Sequence, residues 1–293
     1  MQKLSSFFII AAGILWGLMG VFSGGLNNLG FNSAEGTAIR LISCALIFIL
    51  INFKKLRVDI KDLWQFVMIG IFSILTMSYT YFESIRLSSL TLASILLYTA
   101  PVMVTLMSVM FYREKITPRK IICLTGAISG IVMISGIDSK ISLTVPGLTY
   151  GLLSAFSYAL YSIIGKNLLK KYEPVTVSSY AFIFAALGSV FTVDLPTMAC
   201  TFIDSSNLLY TLGVMIGCGV VTAAIPYTLY TLGLKHIPAG KASILACVEP
   251  LTASVMGICF YGDRIGLVSI TGILLILLAV TFLSISDNTN SQR

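Results

Sequence analysis

The chain has 293 residues, of which 57% are hydrophobic and 11% charged, with a mean hydropathy of +0.94. A soluble domain carries roughly 25% charged residues, so this composition excludes a water-compatible surface and defines an integral membrane protein. The net charge is +7, but the bases fall in short clusters between apolar runs, which excludes a nucleic-acid face and reads as a topology signal.

A bilayer core about 30 Å thick is crossed by roughly 20 apolar residues. Ten stretches meet that length: 7–26, 34–53, 63–84, 91–112, 119–137, 146–168, 175–195, 207–233, 240–261 and 265–285. The first follows Lys3, yet no clear small-x-small cleavage site comes after it, so it reads as a retained span. Pro118, Pro146, Pro174, Pro196 and Pro238 punctuate span ends. Pro101, Pro226 and Pro250 lie inside spans, where each must break the backbone hydrogen-bond ladder. The loops are too short to house a soluble domain. With the N-terminus placed in the cytoplasm, inner segments hold fifteen Lys and Arg and outer segments three, with Arg40 left inside a span. That bias predicts cytoplasmic termini and an even number of spans.

One segment occurs twice. Tyr81, Ala93, Ser94, Ile95, Leu96, Pro101, Met107, Phe111, Tyr112 and Ile116 recur 149 residues later as Tyr230, Ala242, Ser243, Ile244, Leu245, Pro250, Met256, Phe260, Tyr261 and Ile265. Ten identities in one ungapped register indicate a duplicated unit. Ten spans in two units give five each, and an odd number forces the second unit to enter the membrane from the other face. The expected architecture is an all-α membrane protein of ten transmembrane helices, built as two inverted five-helix repeats, 1–140 and 141–286, with a cytoplasmic tail, 287–293. A proline-interrupted span at matching places in both halves points to a transporter's binding site.

Three features resemble the drug/metabolite transporter superfamily, EamA-type. Leu15-Trp16-Gly17 lies in the first span. Pro101 and Pro250 are each followed 13 residues later by an acid, Glu114 and Asp263, and the second copy reads Glu249-Pro250. The inverted ten-span duplication is the third. Gly262-Asp263 departs from a preferred Gly-Glu, and Tyr112-Arg113-Glu114 stands in the first repeat. The resemblance implies the fold and a transport function without fixing the cargo, since similar proteins move amino acids, sugars, nucleobases, vitamins or cationic toxins.

Among candidate site residues, Glu249 is the tenth of its span, about 13 Å deep. A carboxylate there faces a cavity or a partner rather than lipid, and suits proton coupling or a cationic group. It could instead only stabilise the bend at Pro250, which leaves the Ala246 carbonyl unpaired. Arg40 could clamp a carboxylate, snorkel, or pair with Glu35 or Glu83. Trp16, Tyr79, Phe82, Tyr98, Tyr158, Tyr161, Tyr227 and Tyr230 form an aromatic set within spans. Tyr79 and Phe82, Tyr158 and Tyr161, and Tyr227 and Tyr230 share helix faces by i,i+3 spacing. They line a wet cavity or pack between helices. Ser94 and Ser243 line the cavity or let helices approach closely.

Gly13, Gly17, Gly20 and Gly24, and Gly126 with Gly130, read as close helix contacts. Glu114 and Asp263 are either interfacial salt-bridge partners or solvated ends, and His236 reads as solvated. The six cysteines lack CxxC spacing and read as packing residues, so no metal is expected. No GxSxG, Walker or HExxH sequence occurs, so no enzyme, cofactor or ATP-driven pump is expected.

The expected function is a secondary or facilitative transporter in the cytoplasmic membrane, moving a small metabolite by alternating access, in the direction of export by family analogy. The favoured cargo is an amino acid, with Arg40 on its carboxylate and Glu249 on its ammonium. The alternatives are an exporter of aromatic or quaternary cations and, from another class, a channel. Expected partners are the small-molecule cargo, membrane lipid and protons as a candidate coupling ion; the chain is a monomer or a homodimer.

Overall fold

The computed structural model describes residues 2–52, 57–88, 90–135, 144–261 and 266–285, and the regular elements among them are all helical. The tail and Asp263 lie outside the described residues. α1 (Gln2–Trp16) and α2 (Met19–Asn28) form one bent apolar length. At the bend the Leu18 N–H donates to the Leu15 carbonyl, 3.2 Å away and only three residues back. α3 (Ser33–Asn52) opens on a reciprocal cap. Asn32 Oδ1 accepts from the Glu35 N–H at 3.0 Å, and Glu35 Oε2 accepts from the Asn32 N–H at 2.9 Å.

α4 (Leu63–Val67) passes through a wide π-helical turn, Met68–Leu75, into α5 (Thr76–Leu87). α6 (Leu90–Leu97) and α7 (Ala100–Tyr112) form a kinked helix. α8 (Pro118–Ser135), α9 (Val145–Leu168) and α10 (Pro174–Ser189) follow, then the short α11 (Leu195–Ile203). α12 (Leu208–Gly219) leads through a second wide turn, Val220–Ala224, into α13 (Ile225–His236). α14 (Ala239–Leu245), a 3-10 turn at Ala246–Val248 and α15 (Glu249–Met256) make the second kinked helix, and α16 (Leu267–Ile285) closes the order. The three internal prolines lie in the first turns of restarted helices: Pro101 in α7, Pro226 in α13 and Pro250 in α15. The first-turn N–H groups of a helix have no intrahelical partner, so a residue without one fits there.

Among the described residues, seven helical lengths are long and apolar enough to cross a membrane: Leu4–Asn28, Ser33–Asn52, Ile60–Leu87, Ala93–Tyr112, Val145–Leu168, Leu208–His236 and Ala239–Phe260. Pro174–Ser189 and Ile270–Leu283 are shorter apolar helices. The tenth stretch expected from sequence falls on α8. α11 is an addition, in a segment expected to be a loop. Its Met198 and Phe202, spaced i,i+4, pack on a small cluster of Leu26, Phe31, Ile39 and Cys218.

Buried hydroxyl residues such as Ser73, Ser162, Ser178, Thr222 and Thr231 lie inside, while Leu50, Met110, Leu209 and Leu278 are exposed on the outside. That arrangement inverts the pattern of a water-soluble domain and matches a lipid surround. Glycines permit the closest contacts. A Cβ on Gly17 of α1 would stand 2.7 Å from the Glu249 carbonyl oxygen and 2.9 Å from the Ala253 nitrogen. One on Gly130 of α8 would stand 2.6 Å from the Gly272 carbonyl oxygen of α16. Gly20, expected on the same contact stripe as Gly17, faces open space. The two kinked helices meet where α7 packs on α14, whereas α6 and α15 have at most marginal contact among the described residues.

Candidate functional site

Pro226 has no N–H to donate to the Thr222 carbonyl four residues back, so this buried oxygen lacks its helical partner. Arg40 on α3 supplies one. Its Nη2 donates to the Thr222 carbonyl at 2.8 Å and its Nε to Thr222 Oγ1 at 3.1 Å. The guanidinium also lies 6.0 Å from the centre of the Tyr227 ring. Glu35 is spent on the α3 cap, and Glu83 pairs with Arg86 at 2.7 Å. Neither acid pairs with Arg40.

Two small spaces lie at the middle of the bundle. The first is lined by Trp16, Ser73, Ile74, Met77, Tyr158, Tyr161, Tyr227 and Tyr230. Its rings pack edge-on: Trp16 to Tyr227 at 5.0 Å between centres, Tyr161 to Tyr227 at 5.1 Å. The second is lined by Leu97, Tyr98, Ala100, Pro101, Tyr158, Ser243, Ala246, Cys247 and Glu249. Tyr158 is a wall of both. The linings come from α1, the wide turn with α5, the α6–α7 and α14–α15 breaks, α9 and α13.

Glu249 is half-buried, midway along Ala239–Phe260. The Tyr98 hydroxyl is directed at its carboxylate, and Arg40 is the cation whose charge reaches it. Most hydroxyls around the spaces are satisfied. Tyr230 and Ser162 share a hydrogen bond of 2.7 Å, Tyr81 and Ser94 one of 3.0 Å, and Ser243 donates to the Gly240 carbonyl at 3.0 Å. Trp16 Nε1 and the Tyr161 hydroxyl, buried with their rings, complete no hydrogen bond, although Ser178 stands beside Tyr161.

The structure therefore brings together Trp16, Tyr98, Tyr158, Tyr161, Tyr227, Tyr230, Ser243 and Glu249. It does not bring in Arg40, Ser94, Tyr79 or Phe82. Tyr79 is 54% exposed, and Phe82 packs on Tyr81 with ring centres 6.0 Å apart. The wide turn explains this, because it shifts the i,i+3 face of α5 away from that of the residues before it. Sequence reasoning missed Ser73, Ile74 and Met77. The repeat register could have found them, since Ser73 and Met77 stand 149 residues before Thr222 and Pro226.

The lysine-rich end of the kinked helices is held by an ion pair and several hydrogen bonds. Glu114 accepts from Lys120 Nζ at 2.9 Å and from the Ala239 N–H at 3.0 Å. A Cβ on Gly240 would fall 2.8 Å from Lys120 Cε, so the glycine admits that side chain. Lys166 Nζ donates to the carbonyls of Leu234 and Ile237 at 2.5 and 2.7 Å, and the Tyr112 hydroxyl to that of Ile163 at 2.5 Å. At the rim, Asp59 and Asp62 hold the Lys171 ammonium above the ordinary lysine range.

An apolar multi-helix bundle that holds polar and aromatic spaces between broken helices has the build of a multi-pass membrane transporter. Residues 3–136 and 145–285 match the EamA-like transporter family, and the chain belongs to it. An "Uncharacterized transporter" of Archaeoglobus fulgidus is 26% identical over 272 residues, 93% of each chain. The "Uncharacterized inner membrane transporter YicL" of Salmonella typhimurium is 24% identical, covering 97% of this chain and 96% of its own. A solved crystal structure superposes on 98% of this chain and 99% of its own with a TM-score of 0.79 at 14% identity, a likeness of fold.

Proposed function

We propose that this chain is a secondary transporter of the cytoplasmic membrane that moves a small amphipathic metabolite outward by alternating access, with both termini cytoplasmic. The observation that carries the reading is the pair of kinked helices, joined at the lysine-rich end and diverging at the other, with Glu249 at the break. Ten spans in two inverted five-helix units, 1–140 and 141–286, supply the geometry for rocking. The register of the breaks supports the duplication. α7 starts at Ala100 and α15 at Glu249, and 249 − 100 = 149; the wide turns end at Leu75 and Ala224, and 224 − 75 = 149.

Glu249 is the residue through which cargo and protons compete, by exchange, or through which cargo alone passes in facilitated diffusion. An amino acid was the expectation from Arg40 and Glu249 together. Arg40's bonds to Thr222 favour a second reading, an amphipathic organic cation, because the clamp for a carboxylate is already engaged. The test is counterflow in proteoliposomes: preloaded cargo accelerates entry of labelled cargo through a carrier, and a channel shows no such acceleration. Absence of counterflow with every cargo that binds the purified protein would remove the carrier reading.

A further inference from the structure

The chemistry of the two spaces narrows the cargo beyond "amphipathic", on the footing of the transporter reading. Among the residues lining both, Glu249 is the one carboxylate, and none is a lysine, arginine or histidine. Arg40 is held on Thr222 and lies against Tyr227, and it belongs to neither lining. A bound zwitterion would have to leave its carboxylate without a lining counter-cation, an arrangement that burial penalises heavily. An amine, by contrast, meets Glu249 and Tyr98 in one space.

The other space faces the cargo with the rings of Trp16, Tyr158, Tyr161, Tyr227 and Tyr230, a surface that receives a flat apolar group and tolerates a cation. There the Trp16 N–H, on a ring 5% exposed, has no acceptor. Buried donors are nearly always satisfied, so this one calls for an acceptor that the cargo brings. An indole N–H only donates, so what it calls for is an oxygen or ring nitrogen of the cargo.

We infer that the cargo is an aromatic or heteroaromatic primary amine lacking a carboxylate, its ammonium at Glu249, its ring beyond Tyr158 and a neutral ring acceptor on Trp16 Nε1. Because Tyr158 walls both spaces, the ring and the amine sit on either side of it, and its side chain sets the length of cargo that fits.

Matched ligands test this on the purified full-length protein. Tyramine is expected to raise the melting temperature, tyrosine to bind at least about tenfold more weakly, and phenethylamine, which lacks the phenol oxygen, severalfold more weakly. Trp16→Phe keeps a ring and is expected to erase the difference between tyramine and phenethylamine; Glu249→Gln is expected to abolish the response to both. A second readout avoids dependence on the folding of those variants. The chain has two tryptophans, and Trp64 is 63% exposed. Trp64→Phe therefore leaves Trp16 as the sole indole, and its emission, excited where tyramine does not absorb, is expected to change with tyramine and not with tyrosine.

Tyrosine binding as tightly as tyramine overturns the inference, as does an unchanged melting temperature and emission with every aromatic amine. If another solute then shows counterflow, the carrier reading survives that failure. If tyramine binds as described and shows no counterflow, the site assignment holds and the carrier reading fails.

Discussion

The kinked helices α6–α7 and α14–α15 follow one backbone plan and carry different chemistry. Each stops and restarts with a proline as the second residue of the new helix, Ala100-Pro101 in one and Glu249-Pro250 in the other. Each is pressed by a glycine from a neighbour. A Cβ on Gly151 of α9 would lie 2.8 Å from Leu96 Cβ, and one on Gly13 of α1 would lie 3.0 Å from the Ala246 carbonyl oxygen. The residue at the restart is a buried methyl group in the first and a carboxylate in the second. The proline makes the break; the side chain before it decides what the break can hold.

The largest contrast is expected from exchanging those two residues. Glu249→Gln removes a charged contact worth about 3 kcal/mol, roughly 100-fold in cargo affinity, with the fold retained. Ala100→Glu should not restore it and, made alone, should lower the melting temperature by placing a second carboxyl in the space that Glu249 already lines. Next, Arg40→Met strands the Thr222 carbonyl and costs about 2–3 kcal/mol of stability, read in thermal unfolding. That carbonyl belongs to the wide turn before α13 rather than to either kinked helix, and its register counterpart in the first half precedes Met77, which keeps its N–H, so the loss would sharpen the asymmetry between the two halves.

Gly17→Ala forces a methyl group into the backbone of α15 and is expected to cost about 1–3 kcal/mol, whereas Gly20→Ala, a turn further on, should change stability by less than about 0.5 kcal/mol. Equal effects at the two positions would contradict the packing described. A shift of about 1 kcal/mol is expected for Lys120→Met, which loosens the tie between α7 and α14. A cysteine placed at the buried Thr105 should then react with a soluble thiol reagent about fivefold faster.

Much of this was legible in the sequence, for reasons tied to particular residues. Span-length runs and the 149-residue register locate the helices and both proline breaks, because lipid demands continuous apolar length and proline has no N–H. Trp16, Tyr158, Tyr161, Tyr227, Tyr230 and Glu249 stood out as polar or aromatic groups within spans, and they line the two spaces. What could not be read was direction. Arg40 was a lone cation in a span, and nothing local indicates that it turns to a carbonyl freed 182 residues away rather than to a cargo. Tyr79 and Tyr227 have equivalent-looking i,i+3 partners, yet the wide turns settle which faces inward, and Met68–Leu75 contains no proline to announce one. α11 escaped notice because nine residues lie below spanning length and its apolar face is only two side chains wide.

The wide turns have a consequence for how such a helix tolerates change. Each π-helical turn accommodates one residue more than an α-helical turn, and each residue advances the helix by about 100°. Everything after Ala224, including Tyr227 and Tyr230, owes its compass bearing to that surplus residue. Shortening Val220–Ala224 by one would preserve the composition and hydropathy of the span while swinging both phenols away from Trp16. In this helix a single-residue gap is therefore a more drastic event than most replacements.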